Sequence, residues 1–124
     1  MPLTRINLPE LGLPVGPYSH AVRHGDTLYT SGFTAFGTDA QSASASAQAA
    51  AIFDQLERIA TSQESSMEKL VKVTVFITDP ASIPSLRDAL TERYAEQVPA
   101  SSMVIVNGLF APELALEVEA IFAL

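Results

Sequence analysis

The chain has 124 residues, 48% of them hydrophobic and 17% charged, with 14 acidic against 7 basic side chains and a formal charge of -7. That length supports a single hydrophobic core, and so large an apolar fraction needs cover beyond that core, which points to self-association. Arg5, Arg23, Arg58, Lys69, Lys72, Arg87 and Arg93 are scattered, so no phosphate backbone is expected as partner, and the absence of cysteine excludes disulfides, thiol nucleophiles and thiolate metal sites.

The N-terminal stretch lacks a basic segment followed by an apolar run, so neither a leader nor a membrane span is expected and the cytoplasm is the default compartment. Pro9, Gly12, Pro14, Gly16 and Pro17 make Leu8 to Tyr18 a loop. A strand is expected at Leu3 to Asn7 before it. After it, His20 to His24 and Thr27 to Ser31 are β-prone runs joined by Gly25-Asp26, a pair suited to a two-residue hairpin turn, and Gly32 ends or bends the second strand.

From Ser44 to about Gln63, Ile52, Phe53, Leu56, Ile59 and Ala60 recur at helical spacing, with Ser42, Ser44 and Ser46 all eligible as caps. In Leu70 to Thr78, alternation puts Val71, Val73, Val75 and Ile77 on one face and Lys72 and Thr74 on the other. Asp79-Pro80 opens a second amphipathic helix traced by Ile83, Leu86, Leu90 and Tyr94. Two strands follow, at Met103 to Val106 and Leu114 to Ala123. In the last one Leu116, Val118, Ala120 and Phe122 oppose Glu117, Glu119 and Ile121.

The order gives one α+β domain over residues 1–124, a mixed sheet with two helices packed on one face. The other face meets water or another subunit.

Candidate chemistry is sparse. Glu117 and Glu119 share a strand face and are either solvated charges or, if one is buried at an interface, a general acid or base. Tyr18, held by Gly16-Pro17, either anchors its loop or donates to a ligand. His20 and His24 have no matched nucleophile, and no glycine pattern marks a nucleotide site. No metal or organic cofactor is implied.

Gly16-Pro17-Tyr18-Ser19-His20-Ala21, Leu28-Tyr29-Thr30-Ser31-Gly32, the strand Val71 to Asp79, Pro99-Ala100-Ser101-Ser102 and Glu117-Val118-Glu119-Ala120 together resemble the Rid family of reactive-intermediate deaminases, also called YjgF-like or L-PSP endoribonuclease-like proteins. The resemblance implies a chorismate-mutase-like six-stranded subunit in a homotrimer, with a small metabolite bound in each inter-subunit cleft. It implies hydrolysis of enamines and imines without a cofactor. By position it assigns water activation to Glu119, pocket closure to Tyr18, and pocket lining to Ser31 and Gly32.

Ser101 stands where the family carries a carboxylate-clamping arginine, leaving hydrogen bonding to Ser101 and Ser102. Arg87 either turns inward to restore the charge or lies on the helix surface beside Asp88 and Glu92. The expected function is imine or enamine hydrolysis with altered substrate choice. The alternative is a ligand-binding or sensor trimer that has lost turnover. Neither RNA nor a membrane is an expected partner.

Overall fold

Apolar residues from both helices and from alternate positions of the strands meet on a single face of one sheet. The computed structural model describes residues 2–124. Six strands, β1 (Leu3–Ile6), β2 (Ala21–His24), β3 (Thr27–Thr30), β4 (Leu70–Ile77), β5 (Ala100–Ile105) and β6 (Leu116–Ala123), lie in the order β1-β2-β3-β6-β4-β5. Helices α1 (Ala45–Ser62) and α2 (Ile83–Tyr94) cover the face that carries Leu28, Val73, Val75, Ile77, Leu116, Val118, Ala120 and Phe122.

Local chemistry explains the elements. β1, β2 and β3 form an antiparallel meander, and Gly25 takes the positive φ of 62° that the tight turn between His24 and Thr27 needs at its first position. Ser44 is the cap of α1, its hydroxyl accepting from the Ala47 amide at 3.3 Å. Asp79 caps a short 3-10 turn, Pro80–Ser82, and α2 follows directly from it. β4 and β5 are parallel, so they need the crossover that α2 supplies. β6 runs antiparallel to both β3 and β4 and joins the two parts of the sheet.

One expected side-chain direction is overturned. The register of β4 against β6 shifts between Leu70 and Lys72, so Val71 is an extra, bulged residue. It is half exposed, and Leu70 takes the buried place at the start of the strand. Strict alternation through Val71 fails because a bulge adds one residue to the count. β5 also begins earlier than expected, at Ala100, because the parallel pairing with Lys72 starts there.

The buried polar hub is Gln48 on α1, 1% exposed. Its amide nitrogen donates to the carbonyls of Gln41, Ala43 and Glu113, and its Oε1 accepts from the Ala115 amide at 2.8 Å. Two turns on, Gln55 donates to the Thr34 carbonyl at 3.0 Å. α1 thereby holds both the approach to β6 and the segment after Gly32. Among the described residues no helix is long and apolar enough to cross a membrane.

Gln48→Met keeps most of the volume and removes every one of these bonds, stranding the Ala115 N–H and its neighbouring carbonyls. We expect a loss of about 2–4 kcal/mol of unfolding free energy, from about 1–3 kcal/mol per unsatisfied buried group. A urea titration reads it as a lower midpoint at unchanged slope, and a midpoint equal to wild type would remove Gln48 from this role.

Candidate functional site

The loop before β2 is fastened by side chains that the strands bury. The His20 amide donates to Asn7 Oδ1 at 2.9 Å, and its Nδ1 accepts from the Leu8 amide at 3.0 Å. Burial pushes the imidazole below its ordinary pKa, against a weaker opposing pull from Glu10. An Nδ1 that accepts must be unprotonated, so His20 is a neutral pin and His24, exposed at the end of β2, is far from pairing with it. The Ser31 hydroxyl donates to the Ser19 carbonyl at 2.6 Å and its amide to the His20 carbonyl at 2.9 Å. Ser31 thus fixes the loop that carries Tyr18.

Gly32 stands beside an irregularity in the pairing with β6. Leu28 pairs with Phe122 and Phe33 with Val118, five steps on one side against four on the other, so a bulge falls between them. The Thr30 hydroxyl fills the gap in the ladder, accepting from the Ala120 amide at 3.0 Å. A Cβ on Gly32 would sit 2.5 Å from Oε2 and 2.8 Å from Cδ of Glu117. The glutamate therefore lies flat on the glycine. Burial, and secondly the charge of Glu119, raise the Glu117 pKa above the usual carboxylate range.

Glu119, two residues on, is exposed and opposite Thr74. Of the two carboxylates the structure brings Glu117, not Glu119, to Gly32. Sequence alternation shows the shared face but not which member a neighbouring bulge would cover.

Tyr18, half exposed, lines a small cavity of about 90 Å³ with Gly32, Leu13, Val15, Phe36 and Phe110. Its hydroxyl accepts from the Val15 amide at 3.4 Å, which leaves its own proton free to be donated. Phe36 and Phe110 meet edge to face at 5.1 Å. These two aromatics come from separate loops, and no periodic signal in the sequence announces them.

Arg87 and Ser101 meet elsewhere. They line a groove of about 390 Å³ with Leu90, Thr91, Tyr94, Val98 and Met103, between α2 and β5. Ser101 pairs in register with buried Val73 and so points to the helix side. Ser102 points the other way, where its hydroxyl meets Lys72 Nζ at 2.9 Å. The two serines expected to act together lie on opposite faces.

Arg87 makes no ion pair with Asp88 or Glu92 among the described residues. The ion pairs of α2 belong to Arg93, which reaches Asp54 and Glu57 on α1, each at 2.9 Å. Among the described residues no three His, Asp or Glu side chains gather as metal ligands would.

The candidate residues thus fall into two groups on opposite faces of one sheet, Glu117 with Gly32 and Arg87 with Ser101, while Tyr18 shares its cavity with Gly32 and with Gln55 of α1. Within one chain the groups cannot share a ligand. A titration of Glu117 followed by carboxyl NMR tests the first group: Glu119→Gln should lower its midpoint, and Gly32→Ala, which expels the carboxylate into water, should lower it further because burial is the larger cause. An unchanged midpoint in Gly32→Ala would mean that the glycine contact does not hold Glu117.

Residues 10–124 match the family profile described as Endoribonuclease L-PSP. The chain is 32% identical over 114 residues to a RutC family protein of Sinorhizobium fredii, covering 89% of each chain. It is 29% identical over 107 residues to a 2-iminobutanoate/2-iminopropanoate deaminase of Dermatophagoides farinae, covering 84% of each. A solved structure of a protein of unknown function from Pseudomonas aeruginosa superimposes with a TM-score of 0.90 at 30% identity, over 99% of this chain and 93% of that one. With its sheet order, its helix-covered face and these matches in one register, the chain belongs to the endoribonuclease L-PSP family, the YjgF/RutC group.

Proposed function

We propose that the protein hydrolyses small reactive imines or enamines to a carbonyl product and ammonia, in clefts completed between the subunits of a homotrimer, with Glu117 handling the proton. The observation that carries this reading is the Glu117 carboxylate, half buried against Gly32 with a raised pKa. A carboxyl group tuned upward exchanges a proton nearer neutral pH than an ordinary glutamate does.

In the reaction, Glu117 takes a proton from water as its oxygen bonds to the imine carbon. The protonated carboxyl returns that proton to nitrogen to give a carbinolamine; Glu117 then takes the carbinolamine hydroxyl proton and passes it to the same nitrogen, so that the C–N bond breaks, ammonia leaves and the C=O bond forms. The Tyr18 hydroxyl donates a hydrogen bond to the bound molecule and keeps its proton. Ser31 acts through the loop it fastens. An enamine enters the same path after protonation on carbon gives the iminium.

Two features support assembly. The face of the sheet away from the helices exposes Tyr29 and Val104 together with half-buried Phe76 and Ile121. The two groups of candidate residues also need a second copy if they are to meet on one ligand. The family membership and the deaminase among the relatives support the reaction class.

Ammonia release from freshly generated 2-iminobutanoate tests the reading. Glu117→Gln should lower the rate at least a hundredfold, from the 10²–10⁴ typical of a positioned acid or base, with Glu119→Gln the milder variant. Full activity in Glu117→Gln would sink it, and loss confined to Glu119→Gln would hand the role to Glu119.

Ser101 favours a second reading, a trimer that binds a metabolite without turning it over, since a serine offers neither charge nor a two-pronged donor. Mass spectrometry of the purified protein would then find a retained small molecule and no product.

A further inference from the structure

We propose that Asn107-Gly108 is a self-modifying site, where the backbone attacks the asparagine side chain, releases ammonia and leaves aspartate and isoaspartate, so that the cavity beside Tyr18 loses its Phe110 wall as the molecule ages. The site lies outside both groups of candidate residues, and nothing in it depends on the hydrolase reading.

An Asn-Gly pair ordinarily closes a two-residue hairpin, with both residues at positive φ. Here it cannot, because the strands it joins, β5 and β6, are not neighbours: β4 lies between them. The glycines at positive φ are Gly12, Gly25 and Gly37, and Gly108 is not among them. The ladder ends one residue before the pair, where the Val106 amide donates to the Ile77 carbonyl at 2.8 Å. From 107 to 113 no backbone amide donates a hydrogen bond among the described residues.

The attacking group is the Gly108 amide nitrogen, which is therefore free. Asn107 and Gly108 are both exposed, and the Asn107 side chain has no hydrogen-bond partner among the described residues. Glycine brings no Cβ to crowd the approach, and the space where one would stand is open to 4 Å. The chain carries its own control in its other asparagine, Asn7. There Oδ1 accepts from the His20 amide at 2.9 Å, and the amide that would attack, that of Leu8, donates to His20 Nδ1 at 3.0 Å.

In the reaction the Gly108 nitrogen bonds to Asn107 Cγ as the Cγ–Nδ2 bond breaks, and the proton it gives up leaves with Nδ2 as ammonia. Water then opens the cyclic imide. Opening at Cγ gives aspartate; opening at the main-chain carbonyl gives isoaspartate, whose main chain runs through Cβ and Cγ and is longer by one atom. Either product adds a negative charge to a chain of formal charge -7.

Phe110 follows closely, meeting Phe36 edge to face at 5.1 Å, and both rings line the cavity with Tyr18 and Gly32. With no amide bond fastening 107–113, a lengthened backbone moves Phe110 off Phe36. Gln48 holds the Glu113 carbonyl and the Ala115 amide, so the shift stops before β6.

The intact protein is held in mildly alkaline buffer beside a free peptide of residues 104–112, and both are followed by mass spectrometry with peptide mapping. We expect Asn107 in the protein to gain the mass difference between a hydroxyl and an amino group at a rate comparable to that of the peptide, an isoaspartyl methyltransferase to label the product, and Asn7 to stay unchanged. Asn107→Gln should abolish the gain and Gly108→Ala should slow it. An unchanged Asn107 after the peptide has converted overturns the site, and so does conversion of Asn7 at the same rate. NMR contacts between the Phe36 and Phe110 rings read the consequence. They should be lost in the isolated isoaspartyl form and kept in Asn107→Asp, which has the charge without the longer chain. Contacts kept in the isoaspartyl form, or lost in Asn107→Asp, overturn the link to the cavity.

Discussion

The site depends on a side-chain amide that never touches it. Gln48 is buried in the first turns of α1, where a polar group costs several kcal/mol unless it is hydrogen-bonded, about 2–7 by transfer measures. It is hydrogen-bonded at both ends, to carbonyls of the loop that enters α1 and to the backbone that enters β6. That second attachment sets where β6 begins and hence where Glu117 stands. Gln55, on the same helix, grips Thr34 just past Gly32. One rigid rod therefore fixes the spacing between a glycine and the carboxylate lying on it. The distances involved are tenths of an ångström, and loops alone would not hold them.

The sheet separates the chemistry into two sides. Helices occupy one face, so a ligand site there must open at an edge, where β5 leaves room beside α2. The other face is open, and its bulges at Val71 and around Gly32 turn backbone that would otherwise run straight. Arg87 and Glu117 end up with a layer of backbone between them. With that layer between them, the two side chains cannot act on one small molecule within a single chain.

Much of this was legible in the sequence. Alternation in Leu116 to Phe122 and the helical spacing of Ile52, Phe53, Leu56 and Ile59 depend on local geometry, and both elements stand where they are expected. The resemblance motifs carried the fold and the family. What alternation could not show is a bulge, because one inserted residue breaks the period of two at that point, although Val73, Val75 and Ile77 beyond it face the core as expected. Val71 was expected inside for that reason. Which of Glu117 and Glu119 lies against Gly32 is likewise beyond alternation, since it turns on the bend at Gly32 in a different segment. Ser101 and Ser102 looked like one unit because they are adjacent, although adjacency in a strand means opposite faces. Gln48 gave no signal at all: a glutamine among alanines reads as surface until the carbonyls around it are known.

The central place of β6 has a consequence for how the molecule forms. β1-β2-β3 and β4-β5 are each assembled from neighbouring segments, but they touch one another only through β6, hydrogen-bonded on both its edges. Until that strand arrives, β3 and β4 each present an unpaired edge, the surface on which strands of different molecules add to one another. Pairing β6 with both half-sheets closes long loops, the kind of contact that slows folding. The residues that complete the candidate active site are the same ones that end this vulnerable interval.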